Sequence, residues 1–225
     1  MCAMAKRVTI FAGHYGSGKT NIAVNYALHL KKTGLAVKIA DLDIVNPYFR
    51  TKDSAAELEA AGIPLISPAF ANTNVDLPAL PQELYGLVQN RFFHGVLDVG
   101  GDDRGAYALG RYTPYILEEN DYEMVFVVNF FRPLTRTPEE AMEVMGEIEA
   151  ACGIRFTCIV NNSNLGSLTT PKAVESTHEK ALALASVAGL PLWMTTATED
   201  VCRELKTPDT FPLRLQEKYY DIKEI

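Results

Sequence analysis

What the sequence lacks already narrows its class. Its four cysteines, Cys2, Cys152, Cys158 and Cys202, form no C-x-x-C pair, and no histidine stands at ligand spacing from any of them. A structural zinc site or disulfide scaffold is therefore not expected, and the thiols read as free groups in a reducing compartment. No apolar run approaches the roughly 20 residues of a membrane-spanning helix. The run within "MCAMAKRVTIFAG" is too short for a secretory signal, so a cytoplasmic protein is the expectation. An excess of basic residues is also missing: 21 Lys plus Arg stand against 28 Asp plus Glu, a net charge of −7. That balance opposes a surface built to hold nucleic acid phosphates. Internal repeats, low-complexity tracts and Pro/Ser-rich linkers are absent too, so residues 1–225 read as one domain with a C-terminal tail from about residue 207.

What is present is an alternation of apolar runs and helical patterns. Strands are predicted at residues 7–12, 36–42, 64–67, 95–99, 122–129, 156–161 and 190–195. Val, Ile, Leu and Phe dominate them with little side-to-side alternation, as in parallel strands buried on both faces. A helix is predicted over 19–32, with Ile22, Ala23, Tyr26, Ala27 and Leu30 on one face and a stop at Gly34. "TPEE" at 137–140 has the letters of a capping box and opens a helix to about Ala151. "SAAE" at 54–57 reads the same way and ends near Gly62, and a further helix covers about 171–188. Strand–helix alternation with right-handed crossovers gives an α/β fold, a doubly wound, mostly parallel sheet with helices on both faces. Residues 68–81, "PAFANTNVDLPALP", read as a long loop.

The stretch "IFAGHYGSGKT" at 10–20 carries Gly-x-x-x-x-Gly-Lys-Thr between an apolar strand and an amphipathic helix. That layout is a phosphate cradle, built from Gly13, His14, Tyr15, Gly16, Ser17, Gly18, Lys19 and Thr20, with Asn21 next in the helix. Glycines let backbone N–H groups converge on phosphate oxygens, and the helix amino terminus adds partial positive charge. Lys19 reaches the terminal phosphates, and the Thr20 hydroxyl is a ligand for Mg2+. The dinucleotide pattern G-x-G-x-x-G fails, because its third glycine would fall on Asn21.

A phosphate-bound Mg2+ needs carboxylates at strand carboxyl ends. "VKIADLDIVNPYF" offers Asp41 and Asp43, and "GVLDVGGDD" offers Asp98 followed by Gly100 and Gly101. Asp98 and Asp41 are expected to support the metal, Gly100 or Gly101 to give a backbone N–H to a γ-phosphate, and Asp43 to orient or deprotonate an attacking water. The three aspartates are expected to converge on one metal, whereas Asp102 and Asp103 read as surface turn residues.

The cradle, "DLDIVN" and "DVGG" together resemble the ParA/MinD-type P-loop ATPases, the CobQ/CobB/MinD/ParA group of nucleotide-binding domains. The likeness spans residues 6–200, with specific motifs at three points. It implies Mg-ATP binding, slow hydrolysis and an ATP-dependent homodimer that acts as a switch for a protein partner. It also implies a base-reading asparagine at the end of a late strand, matched by Asn161 or Asn162 in "CIVNNSN". Members of the group carry a second lysine directly after the first glycine of the cradle, reaching the other subunit's nucleotide. Here that position is His14, only partly charged near neutral pH, followed by the bulky Tyr15. A guanine reader of the Asn-Lys-x-Asp type would need a lysine and an aspartate that "NNSNLG" does not have, which favours ATP.

Five arginines in loops or after strand ends, Arg50, Arg104, Arg111, Arg132 and Arg136, are candidates for a phosphate contact. Arg132 is foremost because it follows a strand carboxyl end. Tyr48 and Phe49 lie beside Asp43 and are candidates for an apolar contact that changes with nucleotide state. The tail "FPLRLQEKYYDIKEI" mixes its charges and lacks the basic face of a membrane-surface helix. Neither a membrane nor a nucleic acid partner is expected. The reading is a Mg-ATP-dependent switch ATPase with an unidentified protein partner. Its rivals are a dethiobiotin-synthetase-like phosphotransferase or ligase and a nucleotide-binding regulator that does not hydrolyse.

Overall fold

A computed structural model describes residues 5–43, 51–67, 82–101 and 103–216. Cys2, Tyr48, Phe49, Arg50, the 68–81 loop, Asp102 and residues 217–225 lie outside the described residues, as do the side chains of Asp103 and Arg104.

The strands are β1 (Val8–Ala12), β2 (Val37–Leu42), β3 (Leu65–Ile66), β4 (His94–Val99), β5 (Tyr122–Val128), β6 (Cys158–Asn161), β7 (Leu192–Thr198) and β8 (Thr210–Leu213). They form one sheet in the order β3-β2-β4-β1-β5-β6-β7-β8, and every pair is parallel. The helices are α1 (Lys19–Lys32), α2 (Ala55–Ala60), α3 (Gln82–Gln89), α4 (Asp103–Gly110), α5 (Thr113–Glu119), α6 (Pro138–Cys152), α7 (Pro171–Glu175), α8 (His178–Ala188) and α9 (Glu199–Glu204).

Two cores follow from the period of the strands. Val8, Ile10 and Ala12 of β1, with Met124, Phe126 and Val128 of β5, join the core under α3, α4, α5, α6 and α8. The intervening Phe11, Val125 and Val127 point to the opposite face, where Ile22, Ala23, Tyr26, Ala27 and Leu30 of α1 and Leu58 of α2 cover them. Both faces are apolar because both are buried, which is why these strands read as continuous hydrophobic runs.

Local signals held where a cap was spelled in full. Thr137 accepts a hydrogen bond from Glu140 N at 3.3 Å, Pro138 opens α6, and Gly153 closes it at φ 70°. The box expected at Ser54 does not form. A 3-10 turn over Thr51–Ser54 leads into α2, Ser54 makes no capping bond, and its hydroxyl instead accepts from Gln216 Nε2 at 2.7 Å. The single helix expected over 171–188 is broken between α7 and α8. There the buried Thr177 hydroxyl donates to Val174 O at 2.7 Å and accepts from Asn161 Nδ2 at 3.1 Å.

Within the segment expected as a tail from about residue 207, residues 210–213 form the eighth strand. Asn25 of α1 clamps its end by donating to Arg214 O at 2.9 Å and accepting from Arg214 N at 2.8 Å. Pro212 is tolerated there because β8 ends the order of strands, where one side needs no ladder donor.

Candidate nucleotide site

The chain leaves β1 toward β2, returns to β4 beside β1, then crosses to β5 on the other side. Open parallel sheets bind ligands in the crevice outside the strand carboxyl ends at such a reversal, and residues 13–20 sit there. Helix α1 starts at Lys19 with no acidic residue in its first turn and no side-chain cap at Gly18. Its first N–H groups are thereby left for an anion.

Three glycines of the site are required by close approach, the first being Gly13, where a Cβ would stand 2.3 Å from Val127 O. Gly18 adopts φ 89°, and a Cβ there would overlap the Asn162 amide nitrogen. A Cβ on Gly101 would stand 2.6 Å from Tyr15 N, 2.7 Å from Tyr15 Cα and 2.9 Å from Lys19 Nζ. The loop after β4 therefore packs on the cradle, and only a residue without a side chain permits it. Lys19 is buried, and its Nζ donates to His14 O at 3.2 Å.

Asp41 and Asp98 are register partners on β2 and β4, and Phe11 at the end of β1 is the neighbour of Asp98 on its other side. Asp43 is buried just beyond β2, and its N–H donates to Asp41 Oδ1 at 2.9 Å. Asp98 is wholly inaccessible and accepts from the Thr51 hydroxyl at Oδ2, 2.9 Å. Burial pushes its carboxyl up to about 6, and the Asp43 carboxylate acts in the same direction. The Thr20 and Thr51 hydroxyls and the Lys19 cation pull it back.

The residues fit a Mg-nucleotide. Asp98 Oδ1, Ser17 Oγ and Asn21 Oδ1 are buried polar atoms with no hydrogen-bond partner among the described residues, and such atoms in a native site call for a ligand or ion. The expectation of three aspartates converging on one metal is not met as a ready-made cage. Among the described residues no group of three or more His, Cys, Asp or Glu is arranged to hold an ion. Mg2+ does not need one, since it keeps several waters and binds through one or two carboxylates plus phosphate oxygens.

Other predicted site residues fall out differently. Asn161 and Asn162 are buried and engaged inside the chain, so neither presents its amide to a base in this arrangement. Asn161 accepts from Ser163 N at 3.2 Å and the Ser163 hydroxyl at 2.7 Å, in addition to its bond to Thr177. Asn162 donates to Ser17 O at 2.7 Å and accepts from the Thr196 hydroxyl at 2.6 Å. It props the cradle from below, a role that its place at a strand end does not signal. Tyr15 is exposed. His14 is half-buried, and its imidazole is lowered from the usual value by burial and by Lys19, against a backbone hydrogen bond with Tyr15 and the Glu147 carboxylate.

Arg111, Arg132 and Arg136 are all exposed, and Arg132 approaches the cradle at Gly16. Cys152, Cys158 and Cys202 are free thiols raised by burial, which disfavours reactive thiolates. No described helix is long and apolar enough to cross a membrane.

No protein-family profile matches the sequence, and no curated protein does. Among solved structures it is similar to the cell division protein FtsY of Thermotoga maritima, with TM-score 0.59 and 16% identity over 86% of this chain and 62% of that one. The signal recognition particle receptor FtsY of Elizabethkingia anophelis gives TM-score 0.56 and 14% identity, over 88% and 61%. The signal recognition particle 54 kDa protein of Aeropyrum pernix in complex with GDP gives 0.51 and 14%, over 85% and 41%. The chain thus spans about three fifths of the length of these FtsY structures. Identities this low speak for the fold alone, and the ParA/MinD resemblance rests on the motifs. Sheet order, cradle and neighbours agree on one architecture: this chain has the P-loop NTPase fold.

Proposed function

We propose that the protein is a Mg-ATP-dependent P-loop ATPase that acts as a nucleotide switch for a protein partner. The observation that carries this reading is the packing of Gly101 on Tyr15 and Lys19. Residues that hold phosphate and the loop after β4 share one contact, so occupancy of the cradle and the course of that loop are mechanically coupled. A switch works through a contact that has two arrangements, and this packing would supply one of them.

The amide groups of residues 13–20 and the α1 amino terminus bind the phosphates, and Lys19 balances their charge. Thr20 would ligate Mg2+, with Asp41 and Asp98 contacting its bound waters; the ion supplies charge neutralisation at the β- and γ-phosphate oxygens. Asp43, at the end of β2, orients the attacking water. Adenine is favoured because "NNSNLG", the loop after β6, holds no carboxylate to accept from a guanine. Structures similar in fold do hold GDP, so the base is decided by competition between nucleotides.

The test is equilibrium binding of ribose-labelled fluorescent nucleotides, with released phosphate followed in parallel, for wild type, Lys19→Ala and Asp43→Ala. Expected are competition by Mg-ATP at least about tenfold stronger than by Mg-GTP, loss of binding in Lys19→Ala, and retained binding with lost turnover in Asp43→Ala. A preference for GTP overturns the base assignment alone. Turnover that rises only with a small carboxylate or amine substrate replaces the switch by a ligase-type reaction. Binding without any turnover leaves a regulator in place of an ATPase.

A further inference from the structure

Arg132 stands on the turn after β5, which neighbours β1 in the sheet. Its exposed side chain lies beside Gly16: a Cβ built there would be 3.5 Å from Nε and 3.8 Å from Cδ and Cζ. The turn is held from inside. Asn129, fully buried just beyond β5, accepts from Phe131 N at 3.0 Å and Asn164 N at 3.3 Å and donates to Asn164 O at 3.3 Å. Its carbonyl accepts from Arg132 N at 3.1 Å and from the buried Thr135 hydroxyl at 2.8 Å. Leu134 is forced to φ 65°, a region that non-glycine residues rarely occupy. The turn's shape is imposed by its anchors rather than by local preference.

No carboxylate lies within ion-pair distance of Arg132 among the described residues. A guanidinium beside Gly16 faces the N–H dipoles of a glycine-rich loop, positive against positive. An anion in the cradle relieves that repulsion, and the planar fork of donors on arginine suits phosphate oxygens. Arg136, four residues on, is exposed like Arg132 but makes no such approach to a cradle glycine, and its backbone carbonyl accepts from Lys180 Nζ at 3.0 Å.

We propose that Arg132 is a phosphate-contacting residue of this site, supplied in cis, whose charge favours the triphosphate over the diphosphate. It rests on the nucleotide reading above. It places within one chain a cation for which the ParA/MinD resemblance looks to a second copy. The experiment is titration of wild type, Arg132→Ala, Arg132→Lys and Arg136→Ala with Mg2+ and ribose-labelled ADP or a non-hydrolysable ATP analogue. Melting temperatures of the nucleotide-free proteins are measured alongside. Expected in Arg132→Ala is a loss of about tenfold or more for the triphosphate, with less than about threefold for ADP. Arg132→Lys restores part of the difference, Arg136→Ala matches wild type, and the melting temperatures agree. Equal losses for both nucleotides, or no loss, overturn the assignment while leaving the nucleotide site standing. Wild type that binds neither nucleotide refutes the site itself, and the role of Arg132 with it.

Discussion

Asp98 carries the sharpest conflict between stability and function at the level of single residues. In the folded chain its carboxyl keeps a proton to about pH 6, against 3.8 for the free group. As pH rises through that window the unfolded chain releases the proton first, so stability falls, and above it the loss is constant. Asp98→Asn removes the penalty while keeping an acceptor for Thr51. The nucleotide-free variant is expected to gain on the order of 1–3 kcal/mol at pH 8 and almost nothing at pH 4, as read by urea denaturation. The same variant should lose the magnesium dependence of nucleotide affinity. Lys19, Thr20 and Asp98 were legible as letters because phosphate and Mg2+ chemistry demands those types after a strand. Asn162 was not: an amide at a strand end is equally suited to reading a base or bracing a loop, and only the neighbouring Ser17 carbonyl and Thr196 hydroxyl decide which.

Elements declared themselves where a terminus has its own chemistry. The Thr137 cap, Pro138 and Gly153 bound α6 without help from the rest of the chain. Replacing Thr137 by alanine should cost about 1 kcal/mol, seen as a lower melting temperature with nucleotide affinity unchanged. The short helices α3, α4, α5 and α9 and the strand β8 went unread because their windows are too brief for periodicity to separate helix from loop. Their partners are remote: β8 is held by β7 and by Asn25, 189 positions from Arg214. The buried Arg7 makes the same point. It pairs with Glu119 and donates to Leu87 O at 3.1 Å and Val88 O at 2.7 Å, closing the end of α3 from the start of β1.

For the whole molecule, sheet order is what makes a site. With β1 between β4 and β5, the cradle receives Gly101 from one neighbour and Arg132 from the other. A ligand bound there ties the two halves of the sheet together. Mg-ATP at about 100 times its dissociation constant should raise unfolding free energy by about 2.7 kcal/mol, and Lys19→Ala should abolish the shift. A cation supplied in cis further predicts turnover per chain that does not change with protein concentration from nanomolar to micromolar. Turnover rising with concentration, alongside a dimer in sedimentation, would assign the reaction to an assembly.

The sequence by itself determined the alternation of strands and helices and the two-sided burial of the sheet, and it spelled out the Gly-x-x-x-x-Gly-Lys-Thr motif. Each depends on residues near one another along the chain, through side-chain period, terminal chemistry and the conformational freedom of glycine. Only the tertiary structure decided that Asp41 stands beside Asp98 and that Asn162 bonds the Ser17 carbonyl. Those are relations between segments tens of residues apart, settled by the order in which parallel strands pack rather than by any local preference.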